Sequence, residues 1–196
     1  MTRSRFGLFA LLLALVANFA LLGCGSSAPA PPAAAPAAAA TPAAGLSRSV
    51  PVSIDVPSID AHSSLVSLGL NPDKTVQVPP VDQPLQAGWY SYGPTPGQVG
   101  PAVVLGHIDG NHQKGIFWRL HEVKKGDRIT VGRQDGTKAG FTVSKVDQIA
   151  KQSFPTEAVY GNTTMPEIRL ITCGGAFDAS AHSYLDNIIV YGSLDT

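Results

Sequence analysis

Two short segments of this sequence carry residue types suited to nucleophilic catalysis. His107 follows an apolar run at residues 103–105, and Cys173 follows the run at residues 170–172 and precedes two glycines. Both runs read as β-strands, so each reactive residue is expected where a strand ends. Groups at strand ends are held by a rigid scaffold and still reach solvent. The proximity of His107 and Cys173 in space is a hypothesis at this stage.

A thiol and an imidazole together are suited to acyl transfer. The thiolate is the nucleophilic form, and a free thiol is mostly protonated at neutral pH. A nearby imidazolium favours the thiolate and then gives its proton to a leaving amine. Attack of Cys173 on a peptide carbonyl would form a thioester, and a second amine would resolve it. The pair therefore predicts transpeptidation without ATP.

Each residue also has an ordinary structural interpretation. A single cysteine after a strand is commonly a small buried hydrophobic residue, and a histidine beside glycine is commonly a turn residue. Thr172 either offers its hydroxyl to the oxyanion or substrate or is a plain strand threonine. The glycines after Cys173 permit positive φ and close backbone approach, which we expect to admit a substrate carbonyl. The remaining histidines show no metal-ligand spacing with Cys173, so no metal site is predicted.

The elements that must position these residues are short and β-rich. Strand-like segments alternate with Gly, Pro, Asn and Asp, a pattern typical of an all-β barrel or sandwich. Asp135-Gly136 between two of them predicts a hairpin. One or two short helices are expected near residues 115–121 and 154–160. The predicted strands cover residues 50–56, 102–105, 128–131, 141–146, 167–172 and 187–191.

The N-terminus has the layout of an export signal. Basic residues precede an apolar run at residues 6–22, as in signal peptides. Leu21-Leu22-Gly23-Cys24 resembles a bacterial lipobox, which predicts lipidation of Cys24. An uncleaved membrane anchor is the alternative, because the run approaches the length that spans a bilayer. We therefore predict a signal or anchor at residues 1–24 and an extracytoplasmic, membrane-held protein.

Residues 25–47 are rich in Ala and Pro and are predicted to form an extended, disordered tether. At about 3.1 Å per residue, some twenty residues reach roughly 60 Å from the membrane. Residues 48–196 are predicted to form the folded domain, which is long enough to bury a core. The formal net charge is zero and no Lys/Arg cluster is present, which argues against a nucleic-acid partner.

Several motifs in a fixed order resemble sortases, most closely the class F group of actinobacteria. The resemblance covers nearly all of residues 50–192. The matching blocks are Gly88-Trp89-Tyr90, Gly93, Pro96-Gly97, residues 101–109 (PAVVLGHID), 116–120 (IFWRL), Lys125-Gly126-Asp127, residues 169–178 (RLITCGGAFD), Tyr184 and Asp186-Asn187.

The resemblance implies a mostly β fold, a closed eight-stranded barrel with His107 and Cys173 facing one another in a groove. It implies cleavage of a C-terminal sorting signal of the Leu-Pro-x-Thr-Gly kind between Thr and Gly. The implied partners are secreted proteins bearing that signal, with peptidoglycan or its lipid-linked precursor as amine acceptor. Neither a metal nor an organic cofactor is implied.

One departure from the family pattern concerns an arginine. Sortases carry a catalytic arginine after the cysteine, and the class F pattern places it at the position of His182. No arginine follows Cys173 in this sequence. Three interpretations remain open: His182 substitutes as a donor, Arg169 reaches in from the same strand face, or the protein binds peptides without turning them over.

Two other functions compete with the sortase interpretation. An L,D-transpeptidase also uses Cys and His, but it predicts a Ser-His-Gly-Cys-like approach that Ile171-Thr172-Cys173 lacks. A non-catalytic lipoprotein that binds wall peptides or a partner is the alternative from another class.

Overall fold

Ten β-strands form the framework of residues 45–196, the part of the chain that the computed structural model describes. The predicted signal or anchor, the lipidation site Cys24 and nearly all of the predicted tether lie outside it. The strands are β1 (Pro51–Val56), β2 (Ala61–Leu68), β3 (Ala87–Tyr90), β4 (Gly100–Gly106), β5 (Asp109–Gly110), β6 (Gln113–Lys114), β7 (Arg128–Arg133), β8 (Lys138–Ala150), β9 (Pro166–Asp178) and β10 (Ser183–Leu194).

Eight of these strands close into a barrel in the order β1-β2-β3-β4-β9-β10-β8-β7, and β7 pairs back to β1. Most neighbours are antiparallel, whereas β2–β3 and β4–β9 are parallel. The strands β5 and β6 form a separate small hairpin directly after β4. The predicted fold class, a closed eight-stranded barrel with few helices, is confirmed.

Helices are short in the described residues. The single α-helix, α1, spans Thr156–Tyr160, and 3-10 turns occur at Pro57–Ile59, Leu120–Glu122 and Lys151–Ser153. Each of the two predicted helical regions therefore contains one short helical element. None of the helices in residues 45–196 is long and apolar enough to cross a membrane.

Side-chain alternation along the strands builds two apolar clusters. The barrel interior holds the larger cluster, which includes Val104, Phe117, Leu170 and Ile188. A second cluster lies on the outer face, where α1 covers the sheet; it contains Val103, Val159, Ile171, Ile189 and Tyr191. Strands β4 and β9 are thus buried on both faces, which explains their continuous apolar runs.

The Asp135-Gly136 turn connects β7 to β8 as the sequence predicted. Gly136 has φ +81°, a left-handed conformation that glycine adopts without cost. The turn is closed by a hydrogen bond from the Arg133 amide to the Thr137 carbonyl of 3.0 Å. The hairpin therefore follows from local turn chemistry.

Residues just before position 48 already contact the barrel. The Leu46 amide donates to the carbonyl of Gly97 at 2.7 Å, and the guanidinium of Arg133 donates to the carbonyl of Ser47. Arg133 is buried, so the contact fixes the start of the domain against the barrel. The last residues of the predicted tether therefore belong to the packed domain.

Candidate active site

The parallel pairing of β4 with β9 brings the strand end before His107 beside the strand that carries Cys173. The last backbone pair of the two strands is Leu105 with Ile171. His107 lies two residues past Leu105, and Cys173 lies two residues past Ile171. Because the two strands run parallel, both candidate residues follow the paired region at the same end of the sheet.

Strand β9 does not end before Cys173, contrary to the expectation from the sequence. It continues to Asp178 because β10 pairs with it, with Asn187 opposite Cys173 and Asp186 opposite Gly174. Strand β4, in contrast, ends at Gly106. Cys173 is therefore held on one side by its pairing with β10, whereas on the other side the pairing of β9 with β4 has already ended.

The two glycines after Cys173 make room for neighbouring side chains of β10. A Cβ on Gly174 would lie 2.7 Å from the Ile188 side chain, and a Cβ on Gly175 would lie 2.3 Å from the Asp186 carboxylate. Gly175 also has φ +75°. In the structure both glycines allow β9 to pack closely against β10.

The His107 side chain is oriented by a distant loop. Its Nε2 lies 2.7 Å from the carbonyl oxygen of Pro79, which is buried in the segment between β2 and β3. A carbonyl only accepts hydrogen bonds, so this contact places the hydrogen on Nε2. Nδ1 is then the ring nitrogen left to exchange a proton with the thiol. A second group that fixes the tautomer is a recurring feature of catalytic histidines.

Two glycines fix the backbone at His107. A Cβ on Gly106 would lie 2.5 Å from Phe117, and a Cβ on Gly115 would lie 2.2 Å from the His107 carbonyl oxygen. That carbonyl accepts a hydrogen bond from the Phe117 amide at 3.0 Å. The segment after β6 therefore packs directly against the backbone of His107.

A groove of about 690 Å³ lies on the outer face next to the pair. We call it the outer groove. Its walls are largely aromatic and aliphatic, and Tyr160 packs edge-on against Tyr90 with ring centroids 5.7 Å apart. Its lining includes Tyr90, Leu105, Phe154, Tyr160, Ile171 and Asn187.

A second cavity, of about 310 Å³, opens over the inner face of the same strands. We call it the inner cavity. Cys173 itself lines it, whereas Ile171 and Asn187, its neighbour and its pairing partner, line the outer groove. Strand β9 therefore separates the two spaces at the candidate nucleophile. The inner cavity is lined by residues that include Phe117, Trp118, Gln148, Thr172, Cys173 and Tyr184.

A hydrogen bond beside the inner cavity links β5 to β10. The hydroxyl of Tyr184 donates to the carboxylate of Asp109, two residues after His107. This bond is the main cause that raises the pKa of Tyr184 to about 12. The phenol therefore remains a neutral donor at physiological pH. Asp109 thus holds the Tyr184 side chain beside the inner cavity.

Thr172 lies on the inner face of β9. It pairs with Ile188, a residue of the barrel interior, and it lines the inner cavity. The side chain is buried, and its hydroxyl oxygen has no hydrogen-bond partner among residues 45–196. A buried, unsatisfied hydroxyl costs about 1–3 kcal/mol. Thr172 is thus a polar group without a structural partner.

Arg169 is held away from the candidate nucleophile. Its guanidinium donates to the Glu167 carboxylate and to the Ala158 carbonyl, and it stacks over the Tyr191 ring at 4.6 Å. It is buried against the outer apolar cluster, four residues before Cys173 on β9. That separation is about 13 Å of strand. Arg169 lines neither the outer groove nor the inner cavity.

His182 lies in the turn that connects β9 to β10. It is exposed and has φ +47°, a left-handed turn conformation. The next residue, Ser183, pairs with Asp178, five residues after Cys173, or roughly 16 Å along an extended strand. The structure therefore does not bring His182 to Cys173, and His182 lines neither cavity.

Sequence reasoning missed two parts of this site. The Pro79 carbonyl contacts His107 across 28 positions, and no local pattern marks a carbonyl that does so. Tyr184 stands out in the sequence only as part of a family motif, and no strand was predicted at its position. Within residues 45–196, no three His, Cys, Asp or Glu side chains are placed to share a metal ion.

Comparisons with known proteins bear on the family and the fold. Residues 54–195 match the family model described as "Sortase domain". A search of curated proteins found no match.

Three solved structures illustrate the similarity of fold. A lid mutant of sortase A from Corynebacterium diphtheriae is 21% identical with a TM-score of 0.56, covering 77% of this chain and 73% of its own. Sortase C-1 from Actinomyces oris is 18% identical with a TM-score of 0.57, and the match covers 74% of this chain and 73% of that protein. A sortase D5 transpeptidase from Clostridium perfringens is 17% identical with a TM-score of 0.54, and the match covers 76% of this chain and 79% of that protein. At these identities the solved structures establish the fold.

Proposed function

This chain belongs to the sortase family, and on that premise we propose that it is a cysteine transpeptidase with Cys173 as nucleophile and His107 as its proton partner. The observation that supports the proposal most directly is the parallel pairing of β4 with β9, because His107 and Cys173 follow its last pair at the same end of the two strands. A fold shared with several sortases would not by itself imply a working site.

The proposed reaction follows from the arrangement around Cys173. The thiol gives its proton to Nδ1 of His107, and sulfur attacks the carbonyl carbon of the scissile peptide bond. The C–N bond then breaks, and His107 returns the proton to the departing amine. The resulting thioester is attacked by a second amine, whose proton passes to His107. The C–S bond breaks, and the thiolate is released and reprotonated.

We propose that the acyl donor is a C-terminal sorting signal of the Leu-Pro-x-Thr-Gly kind. The outer groove supports this assignment because its aromatic and aliphatic walls suit an extended apolar peptide. Its lining residue Ile171 is two positions from Cys173, so a peptide lying in the groove would present its carbonyl at the thiol. The acceptor would be an amine of peptidoglycan or of its lipid-linked precursor.

Turnover is proposed to be slow, because neither Arg169 nor His182 lies at the thioester. In enzymes of acyl transfer, loss of one oxyanion donor typically costs about 10²–10³ in rate. His182 remains the donor candidate indicated by the family pattern, and it would have to fold its turn back toward Cys173. A variant series at His182 therefore belongs in the first activity measurements.

A second candidate function is peptide or wall binding without turnover. The observation that favours it is that no arginine among residues 45–196 lines the outer groove or the inner cavity. Four of those arginines have acidic partners instead, namely Arg119, Arg128, Arg133 and Arg169. Binding of the peptide by wild type without an acyl-enzyme would support this function.

The assay for the main proposal uses the full chain with a quenched fluorescent Leu-Pro-x-Thr-Gly peptide and glycinamide as amine. Wild type should cleave the peptide between Thr and Gly and join glycinamide to the new end. Cys173→Ala should abolish cleavage, and His107→Ala should reduce it by at least a hundredfold. Cleavage by Cys173→Ala at the wild-type rate would reject the proposal.

Location and class are also proposed. The signal-like N-terminus and the lipobox-like Cys24 support export and retention at the membrane, and the motif order supports placement near class F sortases. Metabolic labelling with a fatty acid tests the first point. Wild type should incorporate the label, and Cys24→Ser should not; equal labelling would reject lipidation at Cys24.

A further inference from the structure

The outer groove has a single charged residue in its lining, Lys74. The other lining residues in the described part of the chain are apolar, aromatic or neutral polar. Lys74 is exposed, and none of the ion pairs within residues 45–196 includes its ammonium. The carboxylate of its neighbour Asp73 is engaged elsewhere, because it accepts hydrogen bonds from the amide and the hydroxyl of Thr75 at 3.0 and 2.6 Å. The groove therefore offers a cation to a bound peptide.

A tight turn at residues 71–75 fixes the backbone of Lys74 at the wall of the groove. The Asn71 amide donates to the Thr75 carbonyl at 2.8 Å, and the Lys74 amide donates to the Asn71 carbonyl at 2.9 Å. The side-chain amide of Asn71 also donates to the Thr75 hydroxyl at 2.9 Å. Lys74 has φ +69°, a left-handed conformation that glycine adopts more readily than lysine. The turn thus holds a lysine at a position whose backbone favours glycine.

Lys74 and Cys173 lie toward opposite ends of the outer groove. Strand β2 is parallel to β3, and β3 is antiparallel to β4, so β2 runs toward the start of β4. The turn at residues 71–75 follows the end of β2. Cys173 instead follows the last pair of β4 with β9, which is Leu105 with Ile171. A peptide that is joined to Cys173 and lies along the groove therefore extends toward Lys74.

The groove is longer than the four residues that precede the scissile bond of the proposed signal. Its lining includes Pro101, which pairs with Glu167, six residues before Cys173 on β9. Six residues of strand span about 20 Å, whereas an extended Leu-Pro-x-Thr segment spans about 13 Å. The remaining length of about 7 Å corresponds to about two further residues. With Thr at Cys173, the two residues before Leu therefore lie at the Lys74 end of the groove.

We propose that Lys74 selects sorting signals with acidic residues directly before Leu. The proposal rests on the proposed transpeptidase function and adds a rule for the choice of acyl donor. An Asp or Glu at these positions would pair with the Lys74 ammonium, whereas a Lys or Arg would be repelled by it. No carboxylate of residues 45–196 lines the groove to offset that repulsion. Because the pair is exposed, its effect on affinity is at most about fivefold, and it falls as salt screens the charges.

Three peptides that share one Leu-Pro-x-Thr-Gly core test the proposal with the full chain. They differ only in the two residues before Leu, which are Asp-Asp, Ser-Ser or Lys-Lys. Wild type should cleave the Asp-Asp peptide with a kcat/KM about three- to fivefold above that of the Ser-Ser peptide, and the Lys-Lys peptide should be the poorest substrate. The charge acts on binding, so KM should change and kcat should not.

Two substitutions of Lys74 separate its charge from its place in the turn. Lys74→Glu should reverse the order of the three peptides. Lys74→Gly should make the three peptides equal, and it keeps the turn because glycine suits φ +69°. An equal loss of activity toward all three peptides, with their order unchanged, would show that Lys74 has a structural role and would overturn the proposal.

Lys125→Glu is the matched control for net charge. Lys125 is also an exposed lysine, and it lines neither the outer groove nor the inner cavity. This variant should keep the wild-type order of the three peptides. A reversal by Lys125→Glu as large as that by Lys74→Glu would assign the preference to the overall charge of the protein and would overturn the proposal.

A binding measurement tests the same selection without turnover. The full-length Cys173→Ala variant is titrated against fluorescein-labelled forms of the three peptides, and fluorescence anisotropy gives each Kd. The Asp-Asp peptide should bind most tightly, and its advantage should shrink when the salt concentration rises from about 0.05 M to about 0.5 M. Equal Kd values, or no binding of any peptide, would reject the role of Lys74. Charge-dependent binding without cleavage by wild type would reject the transpeptidase function alone, so the two failures are distinguishable.

Discussion

Substituting Gly115 by alanine should disable the site by displacing His107. A Cβ at this position would lie 2.2 Å from the His107 carbonyl oxygen and 2.6 Å from its carbonyl carbon. A comfortable C···O contact is about 3.3 Å. The deficit of about 1.1 Å falls on backbone atoms, which no rotamer change can relieve. The backbone at His107 must therefore move by about that amount.

The displacement of His107 sets the expected loss of acylation rate and the expected loss of stability. A shift of about 1 Å in a catalytic group costs on the order of a hundredfold in rate. Overpacking of a buried position costs about 1–3 kcal/mol, and for a domain of this size each kcal/mol lowers Tm by about 2–4 °C. We therefore expect Gly115→Ala to lower Tm by roughly 2–12 °C and to slow acylation of the folded protein about a hundredfold.

Acylation is followed by intact mass after mixing with the sorting-signal peptide, and Tm is followed by circular dichroism. Gly69→Ala is the matched control, because a Cβ there would meet no atom closer than 3.3 Å and Gly69 lines neither the outer groove nor the inner cavity. That variant should keep both the rate and the Tm of wild type. If Gly115→Ala matches Gly69→Ala in both readouts, or loses stability without losing the rate per folded molecule, the link between Gly115 and His107 is refuted.

Three further predictions concern residues around the site. Arg169→Met should lower the free energy of unfolding by about 3–5 kcal/mol in denaturant titrations, because the Glu167 carboxylate loses its buried partner; a hundredfold loss of acylation in the folded variant would instead give Arg169 a catalytic role. His182→Gly should keep the acylation rate within about threefold and suit the left-handed turn, whereas a loss of 10²-fold or more would identify His182 as the oxyanion donor. Tyr184 has a pKa of about 12, so its bond to the Asp109 carboxylate contributes stability below pH 10 that is lost as pH rises through 12. The difference between the ultraviolet titration curves of wild type and of Tyr184→Phe should show one phenol that ionises near pH 12. Ionisation of that phenol near pH 10 would contradict the hydrogen bond.

The sequence carried the information for the barrel because its strands follow local rules. The alternating segments, the Asp135-Gly136 hairpin and the doubly buried runs of β4 and β9 all follow from side-chain period and turn chemistry. The sequence did not reveal β2 and β3. Half of the residues in strand β2 are polar and only two of its eight residues are buried, and β3 is a four-residue strand that contains a glycine. Their pairing with neighbouring strands decides their conformation, and that pairing is not local.

The candidate pair was visible in the sequence, but its supporting contacts were not. Cys173 and His107 have distinctive side chains, whereas the Pro79 carbonyl is a backbone group that any residue possesses. The length of β9 depends on β10, so the strand could not be seen to pass through Cys173. Arg169 shares strand parity with Cys173 as expected, yet the partners that hold it, Glu167 and Tyr191, lie on that same outer face.

The central claim is that Cys173 forms the acyl-enzyme, and intact mass with peptide mapping of the full chain tests it most directly. The chain has two cysteines, so the position of the adduct is informative. After mixing with a Leu-Pro-x-Thr-Gly peptide, we predict one acyl adduct on the fragment that contains Cys173, absent in Cys173→Ala and much reduced in His107→Ala. An adduct that persists in Cys173→Ala, or no adduct on wild type under conditions where the peptide is bound, would contradict the account.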